Sequence, residues 1–343
     1  MLACVAHGAG DLRVEERPDP APAAGEISVE IALGGICGSD LHYYHRGAVG
    51  EFRIREPLVL GHEVAGRVAR LGPGVVGPAP GTAVAIHPAT PCGSCPECRA
   101  GRRNVCRNAR YLGSAARMPH VQGGFARHLI VPADQVHAFP EALSLRRAVL
   151  AEPLSVALHA VGTAGEVAGR HVLVTGAGPI GCLVVAALRA AGAAEVTVTD
   201  LVDEALAIAG AVGATRTIRV EDAGEPWPDE VDVAIEASGS AAGLASCLTH
   251  VRRGGTVVQL GLLPPGDSAV PVNLIATREL TLVGAFRFDT EFVAALRLLA
   301  DGLPVDPVVT DVYPAGAARA AFDVAGDRRR SCKVLLDFDA PGA

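Results

Sequence analysis

From His171 to Gly181 the sequence reads HVLVTGAGPIG: an apolar run, then glycines at 176, 178 and 181 with proline at 179. A short apolar run bounded by glycine is a buried strand, and proline at the head of the next apolar stretch opens a helix. The alternation repeats. EVTVTD (195–200), VDVAIEASG (231–239) and TVVQLGL (256–262) read as strands. DEALAIAGAVG (203–213), closed by Gly213, and SAAGLASCLTHVRRGG (240–255) read as helices. Strands alternating with helices of this length require a parallel, doubly wound sheet.

That context gives the glycines meaning. Gly176 allows a tight turn, Gly178 lets a pyrophosphate approach the backbone, and Gly181 lets the helix pack closely on the strand. Pro179 and Ile180 begin the helix whose free N–H groups face the phosphates. Asp200 ends the next strand, where a carboxylate would bond adenosine ribose hydroxyls and repel a 2′-phosphate. Leu201 and Val202 supply no compensating cation. NAD is therefore expected in preference to NADP.

Residues 1–150 have a different texture. EISVEIALGG (26–35), LVLGHEVAGRVARLG (58–72), GTAVAIHP (81–88) and FARHLIVP (125–132) are short β-runs between Gly/Pro turns, without long helical patterns, so this part reads as all-β and barrel-like. After LTLVGAFRF (280–288) come helical stretches at 290–301 and 315–325 and a last strand, CKVLLDF (332–338), which is expected to return to the first domain.

Composition removes several function classes. A net charge of −7 argues against a nucleic-acid partner. The most apolar stretch, 171–188, carries three glycines and a proline, which argues against a membrane span. The N-terminal segment shows no cationic start followed by an apolar run, so a reducing cytoplasm is expected, where disulfides are rare. Nine cysteines then need another reason. Cys92, Cys95, Cys98 and Cys106 follow C-x2-C-x2-C-x7-C, the thiolate count of a closed tetrahedral zinc site. An iron–sulfur cluster and a redox Cys-x-x-Cys pair are the competing readings. A closed tetrathiolate zinc stabilises a loop and does no chemistry.

A thiolate and an imidazole, Cys37 and His62, with carboxylates at Glu63 and Glu152, could form an open zinc site that keeps an exchangeable position. Oxidising an alcohol requires loss of the hydroxyl proton before hydride can leave, and a Lewis acid lowers that pKa.

At these residues the chain resembles the zinc-dependent medium-chain dehydrogenases along essentially its whole length. GICGSDLHYY (35–44), GHE (61–63) and AEPL (151–154) are similar to the sorbitol (polyol) dehydrogenase branch. GSAARMPHVQGGF (113–125), GPIGCL (178–183) and GAFRFDTEF (284–292) resemble the L-idonate 5-dehydrogenase family, which interconverts L-idonate and 5-keto-D-gluconate.

The resemblance implies an α/β fold: a GroES-like β-barrel catalytic domain over 1–150, with a structural-zinc lobe at about 88–110, completed by 288–343, and an NAD-binding Rossmann domain over 151–287. It implies two zinc ions per chain, one held by Cys37, His62 and one or both of Glu63 and Glu152, the other by the four clustered cysteines. It places Ser39 to take the substrate proton and His42 to relay it, and it matches Tyr43 and Arg287 to substrate-contacting positions of polyol dehydrogenases. Ser238, Gly261, Leu262, Leu263, Ala285, Phe286 and Arg287 join the cofactor contacts. Glu204 departs from an arginine frequent near the adenosine in sorbitol dehydrogenases. The implied partners are a small sugar acid or polyol and further copies of the chain, as a homotetramer or dimer, with no nucleic acid and no membrane. A sugar acid needs a cation at the far end of its pocket; Arg287, Arg117 and His120 are the candidates.

Overall fold

The computed structural model describes residues 1–221 and 226–340. Six parallel strands form one sheet, in the order Arg216–Arg219, Glu195–Asp200, His171–Thr175, Val231–Glu236, Val251–Gln259, Thr281–Gly284. This is the doubly wound order, with the strand sequence reversing direction between His171–Thr175 and Val231–Glu236. The sheet is buried against Pro179–Ala190, whose Cys182 to Leu188 are all inaccessible, and against Ala241–His250 on its other side.

The remaining β-structure centres on Glu26–Gly35, which pairs antiparallel with Glu63–Leu71, His128–Pro132 and Lys333–Asp337. Seven strands belong to this sheet, and a three-stranded sheet of Asp11–Glu16, Leu2–Gly8 and Leu58–Val59 accompanies it. The C-terminal strand thus returns to the first part of the chain, as its sequence suggested. A core of Ile27, Ile31, Leu58, Leu60, Ile86, Phe125, Phe322 and Phe338 fills the space between them. The α/β class is the observed one: a parallel, doubly wound sheet together with a mostly antiparallel β part.

Three local readings differ. The expected all-β region contains a helix, Gly38–Arg46, nine residues too short for a long amphipathic pattern but defined at both ends. Asp40 accepts from the Cys37 N–H at its start, and Gly47, at φ 64°, stops it. The run 58–72 is broken into Leu58–Val59 and Glu63–Leu71. The break is forced at Gly61, whose φ of 94° suits only glycine and where a Cβ would stand 2.2 Å from the Phe125 ring. Finally, the helix expected through Gly255 ends at His250, and the strand begins at Val251. Val251 pairs with Val231 instead, and Gly254, at φ 67°, does not continue a helix.

Candidate active site

The break at Gly61 brings His62 and Glu63 to the foot of helix Gly38–Arg46. Ligand atoms of Cys37, His62 and Glu63 lie within 4.8 Å of one another. Asp40, fully buried, stands 3.9 Å from His62 Nδ1 and accepts from the Gly61 N–H at 3.1 Å. At that distance the carboxylate makes no hydrogen bond to the ring but raises its basicity through charge. Burial alone would lower the His62 pKa, yet Asp40, Cys37 and Glu152 raise it to about 10. The pocket therefore favours positive charge at this ring, which a divalent cation would supply in place of a proton. Thiolate, imidazole and carboxylate are the donors zinc takes in such sites.

The two glutamates are held differently. Glu63 faces Lys333, whose Nζ donates to both its oxygens at 2.8 and 2.7 Å. Glu152, in the first turn of Ala151–Thr163, lies outside the three-residue group and accepts from the Tyr111 hydroxyl at 2.6 Å. Burial, together with repulsion from Glu63, raises its pKa to about 7, against the pull of His62, Tyr111 and Lys333.

Ser39 and His42 stand in the first turns of Gly38–Arg46, half-buried, and among the described residues neither side chain bonds to protein. Burial, then Arg46 and His45, lower the His42 pKa, so its ring is neutral at neutral pH and can accept a proton. The Tyr43 hydroxyl accepts from the Ala115 N–H at 2.9 Å. The Arg287 guanidinium lies 4.2 Å above the Tyr111 ring and 4.9 Å from that of Phe286. Arg117 and His120 are spent elsewhere. Arg117 donates to the carbonyls of Arg107 and Ala109, and His120 accepts from the Arg55 N–H at 2.9 Å while its other ring nitrogen meets the Arg117 carbonyl at 2.8 Å. Of the three cations considered for a carboxylate, Arg287 is the one left open. Sequence reasoning passed over Asp40, Tyr111 and Lys333. Asp40 alone had a local signal, its place three residues after Cys37.

The four clustered thiols converge. Cys106 Sγ is 3.5 Å from Cys92 Sγ and 3.6 Å from Cys95 Sγ. Those spacings are far too long for a disulfide and near the edge of a tetrahedron with zinc–sulfur bonds, about 3.8 Å. Backbone N–H groups of Ser94 and Cys95 lower the Cys92 pKa to about 5, favouring its thiolate.

The glycine-rich turn sits at the carboxyl end of the central strand. Gly176 has φ 93°, and a Cβ there would lie 2.7 Å from Ser238 backbone; one on Gly181 would lie 1.9 Å from the Gly176 carbonyl. A Cβ on Gly178 would meet no protein atom within 4 Å, so space remains before the helix N-terminus begun by Pro179 and Ile180. That cradle fits a pyrophosphate. Asp200 accepts from the N–H groups of Ala177, Leu201 and Val202 at 2.6, 2.7 and 3.1 Å, which ties the strand end to the turn. Arg219, beside Asp200 in register, is paired with Asp203 at 2.8 Å. Glu204 lies in the first turn of the helix Asp203–Ala211. Ser238, Gly261, Leu262, Leu263, Ala285 and Phe286 all follow the carboxyl ends of neighbouring strands, on the same edge of the sheet. The fully buried Glu236 accepts from the N–H groups of Ser238 and Gly239 and from Gln259, and so braces that edge.

Comparison with known proteins agrees with this arrangement. The alcohol dehydrogenase GroES-like domain family matches residues 23–141, and the zinc-binding dehydrogenase family matches 179–301. The chain is 38% identical to L-idonate 5-dehydrogenase (NAD(P)(+)) of Escherichia coli (strain K12), covering 98% of both chains. It is 36% identical to sorbitol dehydrogenase of Bacillus subtilis (strain 168), covering 98% of this chain and 97% of that one. The crystal structure of L-idonate 5-dehydrogenase from Escherichia coli superposes with a TM-score of 0.93 at 36% identity, over 98% of each chain. No described helix is long and apolar enough to cross a membrane. Carrying both a Cys–His–Glu group and a glycine-rich turn at a parallel-strand end, the chain belongs to the zinc-binding dehydrogenases with a GroES-like domain, as an NAD(P)-dependent alcohol or polyol dehydrogenase acting on CH–OH groups.

Proposed function

We propose that this protein interconverts L-idonate and 5-keto-D-gluconate, with one catalytic and one structural zinc per chain and NAD preferred over NADP. The observation that carries the acid substrate is Arg287, a cation held against Tyr111 beside the Cys37–His62–Glu63 group with no acidic partner among the described residues. The likeness to L-idonate 5-dehydrogenase of Escherichia coli supports the same choice.

Cys37, His62 and Glu63 would hold the catalytic zinc, which supplies the Lewis acidity that lowers a hydroxyl pKa, while NAD accepts the hydride. Glu152 stands behind this group, held by Tyr111. Ser39 takes the substrate proton, and the neutral His42 passes it outward. Tyr43 and Arg287 orient the substrate. The turn at Gly176, Gly178 and Gly181 holds the pyrophosphate, with Asp200 facing the adenosine ribose and Ser238, Gly261, Leu262, Leu263, Ala285 and Phe286 along the nicotinamide side. Asp203 neutralises Arg219, the cation beside Asp200 in the strand register, which could otherwise favour a 2′-phosphate. Cys92, Cys95, Cys98 and Cys106 hold the structural zinc in a lobe at about 88–110. In this reading the catalytic domain spans 1–150 and 288–343 and the cofactor domain 151–287. The protein works as a homo-oligomer in the cytoplasm.

The test is product identity. Zinc-loaded protein with L-idonate and NAD should yield NADH and 5-keto-D-gluconate in equal amounts, and Cys37→Ala should abolish both. A different keto product, or undiminished turnover in Cys37→Ala, would overturn the reading.

A further inference from the structure

Tyr111 connects two parts of the site that lie far apart in the sequence. It ends the two-residue strand Arg110–Tyr111, which pairs with Ala89–Thr90 at the base of the cysteine lobe. Its ring meets that of His62 edge-on at 5.6 Å, its hydroxyl donates to Glu152, and its face carries the Arg287 guanidinium.

We propose that Tyr111 is a positioning residue with two separable duties: its ring seats Arg287 as the receptor for the carboxylate of a sugar acid, and its hydroxyl fixes Glu152. This rests on the acid-substrate reading above. Arg287 has φ 55°, a backbone conformation costly for a non-glycine residue and one that persists only where the surroundings impose it. The surroundings do so here. On one side Asn104 donates to the Phe286 carbonyl at 3.0 Å, and on the other Arg103 grips Asp289 through its backbone N–H at 2.9 Å and its Nε at 2.7 Å. The guanidinium so presented lies over the Tyr111 ring and within 4.9 Å of the Phe286 ring centroid and, among the described residues, spends none of its N–H donors on a protein acceptor. A stacked guanidinium keeps its in-plane fork free, and that fork matches a carboxylate bidentately. Seating it beforehand removes part of the ordering cost that an unsupported arginine would meet on binding an anion. The hydroxyl is a second device on the same ring. It points to a buried carboxylate, and removing it leaves the stack in place.

The test compares Tyr111→Phe, which keeps the ring, with Tyr111→Leu, which removes it, and with Arg287→Lys, which keeps charge but not the planar fork. KM and kcat are measured for L-idonate and for L-iditol, and the dissociation constant of L-idonate is measured by calorimetry in the enzyme–NADH complex. Tyr111→Phe should lower kcat on both substrates and retain the parent's acid-to-polyol preference. Tyr111→Leu should share that kcat loss and also raise KM and the dissociation constant for L-idonate about tenfold relative to L-iditol, the scale of a lost cation–π contact in a desolvated setting. Arg287→Lys should lose the preference likewise. Thermal unfolding of each variant identifies any that fails to fold, and Tyr111→Phe with Arg287→Lys then carries the comparison. An acid preference that survives Tyr111→Leu, or that is lost in Tyr111→Phe, overturns the proposal while leaving the acid-substrate reading intact. A parent enzyme without acid preference overturns both.

Discussion

Lys333 Nζ lies within 2.8 Å of both oxygens of Glu63, and the two side chains are 2% and 1% exposed. Lys333 is the only lysine in the chain. It also donates to the Ile36 carbonyl at 3.0 Å, so each of its short contacts ends on an acceptor beside Cys37. Burial would lower the Lys333 pKa, but Glu63 and Cys37 raise it, so the ammonium keeps its charge. In zinc-free protein, Lys333→Met leaves the buried Glu63 carboxylate without its partner and should destabilise the fold by about 3–5 kcal/mol. Guanidinium unfolding of parent and variant measures this; a loss below about 1 kcal/mol, the worth of an exposed pair, would contradict it.

Two donor sets predict two zinc ions per chain. Elemental analysis of protein purified without chelators should return two, and Cys92→Ser should return one, with lower stability because structural zinc contributes to folding directly. Iron in place of zinc, or two zinc ions retained in Cys92→Ser, would contradict the assignment.

Glu291 makes part of the stability acid-sensitive. Its carboxylate meets His159 Nδ1 at 2.8 Å and accepts from the N–H groups of Asp289 and Thr290. Burial would raise its pKa, but these partners lower it to about 2, below the ordinary 4.5. A depressed carboxylate pKa stabilises the fold above the unfolded value, and that contribution is lost as pH falls from about 4.5 toward 2. Glu291→Gln should therefore lower the melting temperature at pH 7 and converge on the parent near pH 2–3. A constant difference across that window would show that its charge does not matter.

The proton path gives a pH signature. In the proposed path His42, whose pKa burial lowers, is a neutral ring that passes on the proton taken by Ser39. Ser39→Ala and His42→Ala should each slow oxidation about 10–100-fold at pH 7, with the deficit shrinking at pH 9–10 where hydroxide replaces the relay. Unchanged turnover at pH 7 in Ser39→Ala would remove it from the path.

The features legible in the sequence were those set by local spacing. The glycines at 176, 178 and 181 and the cysteines at 92, 95, 98 and 106 act within one turn or one loop, so their order along the chain is their chemistry. Asp40 was nearly legible, since three residues separate it from the Cys37 N–H it accepts. Lys333 was not, because it reaches Glu63 only through the pairing of Lys333–Asp337 with Glu26–Gly35. Nor was Tyr111, whose partners Glu152 and Arg287 come from two other elements. Arg117 and His120 looked like free cations in a distinctive loop. Only tertiary structure reveals that backbone groups already occupy them.

Relative efficiency on an acid and on its neutral counterparts tests the acid substrate most directly. kcat/KM on L-idonate should exceed that on sorbitol and on L-iditol by about tenfold to a hundredfold, and Arg287→Ala should remove most of the margin, because truncating one partner of a desolvated charge pair costs about 2–5 kcal/mol. Comparable efficiency on L-idonate and sorbitol in the parent would contradict the account and assign the enzyme to neutral polyols.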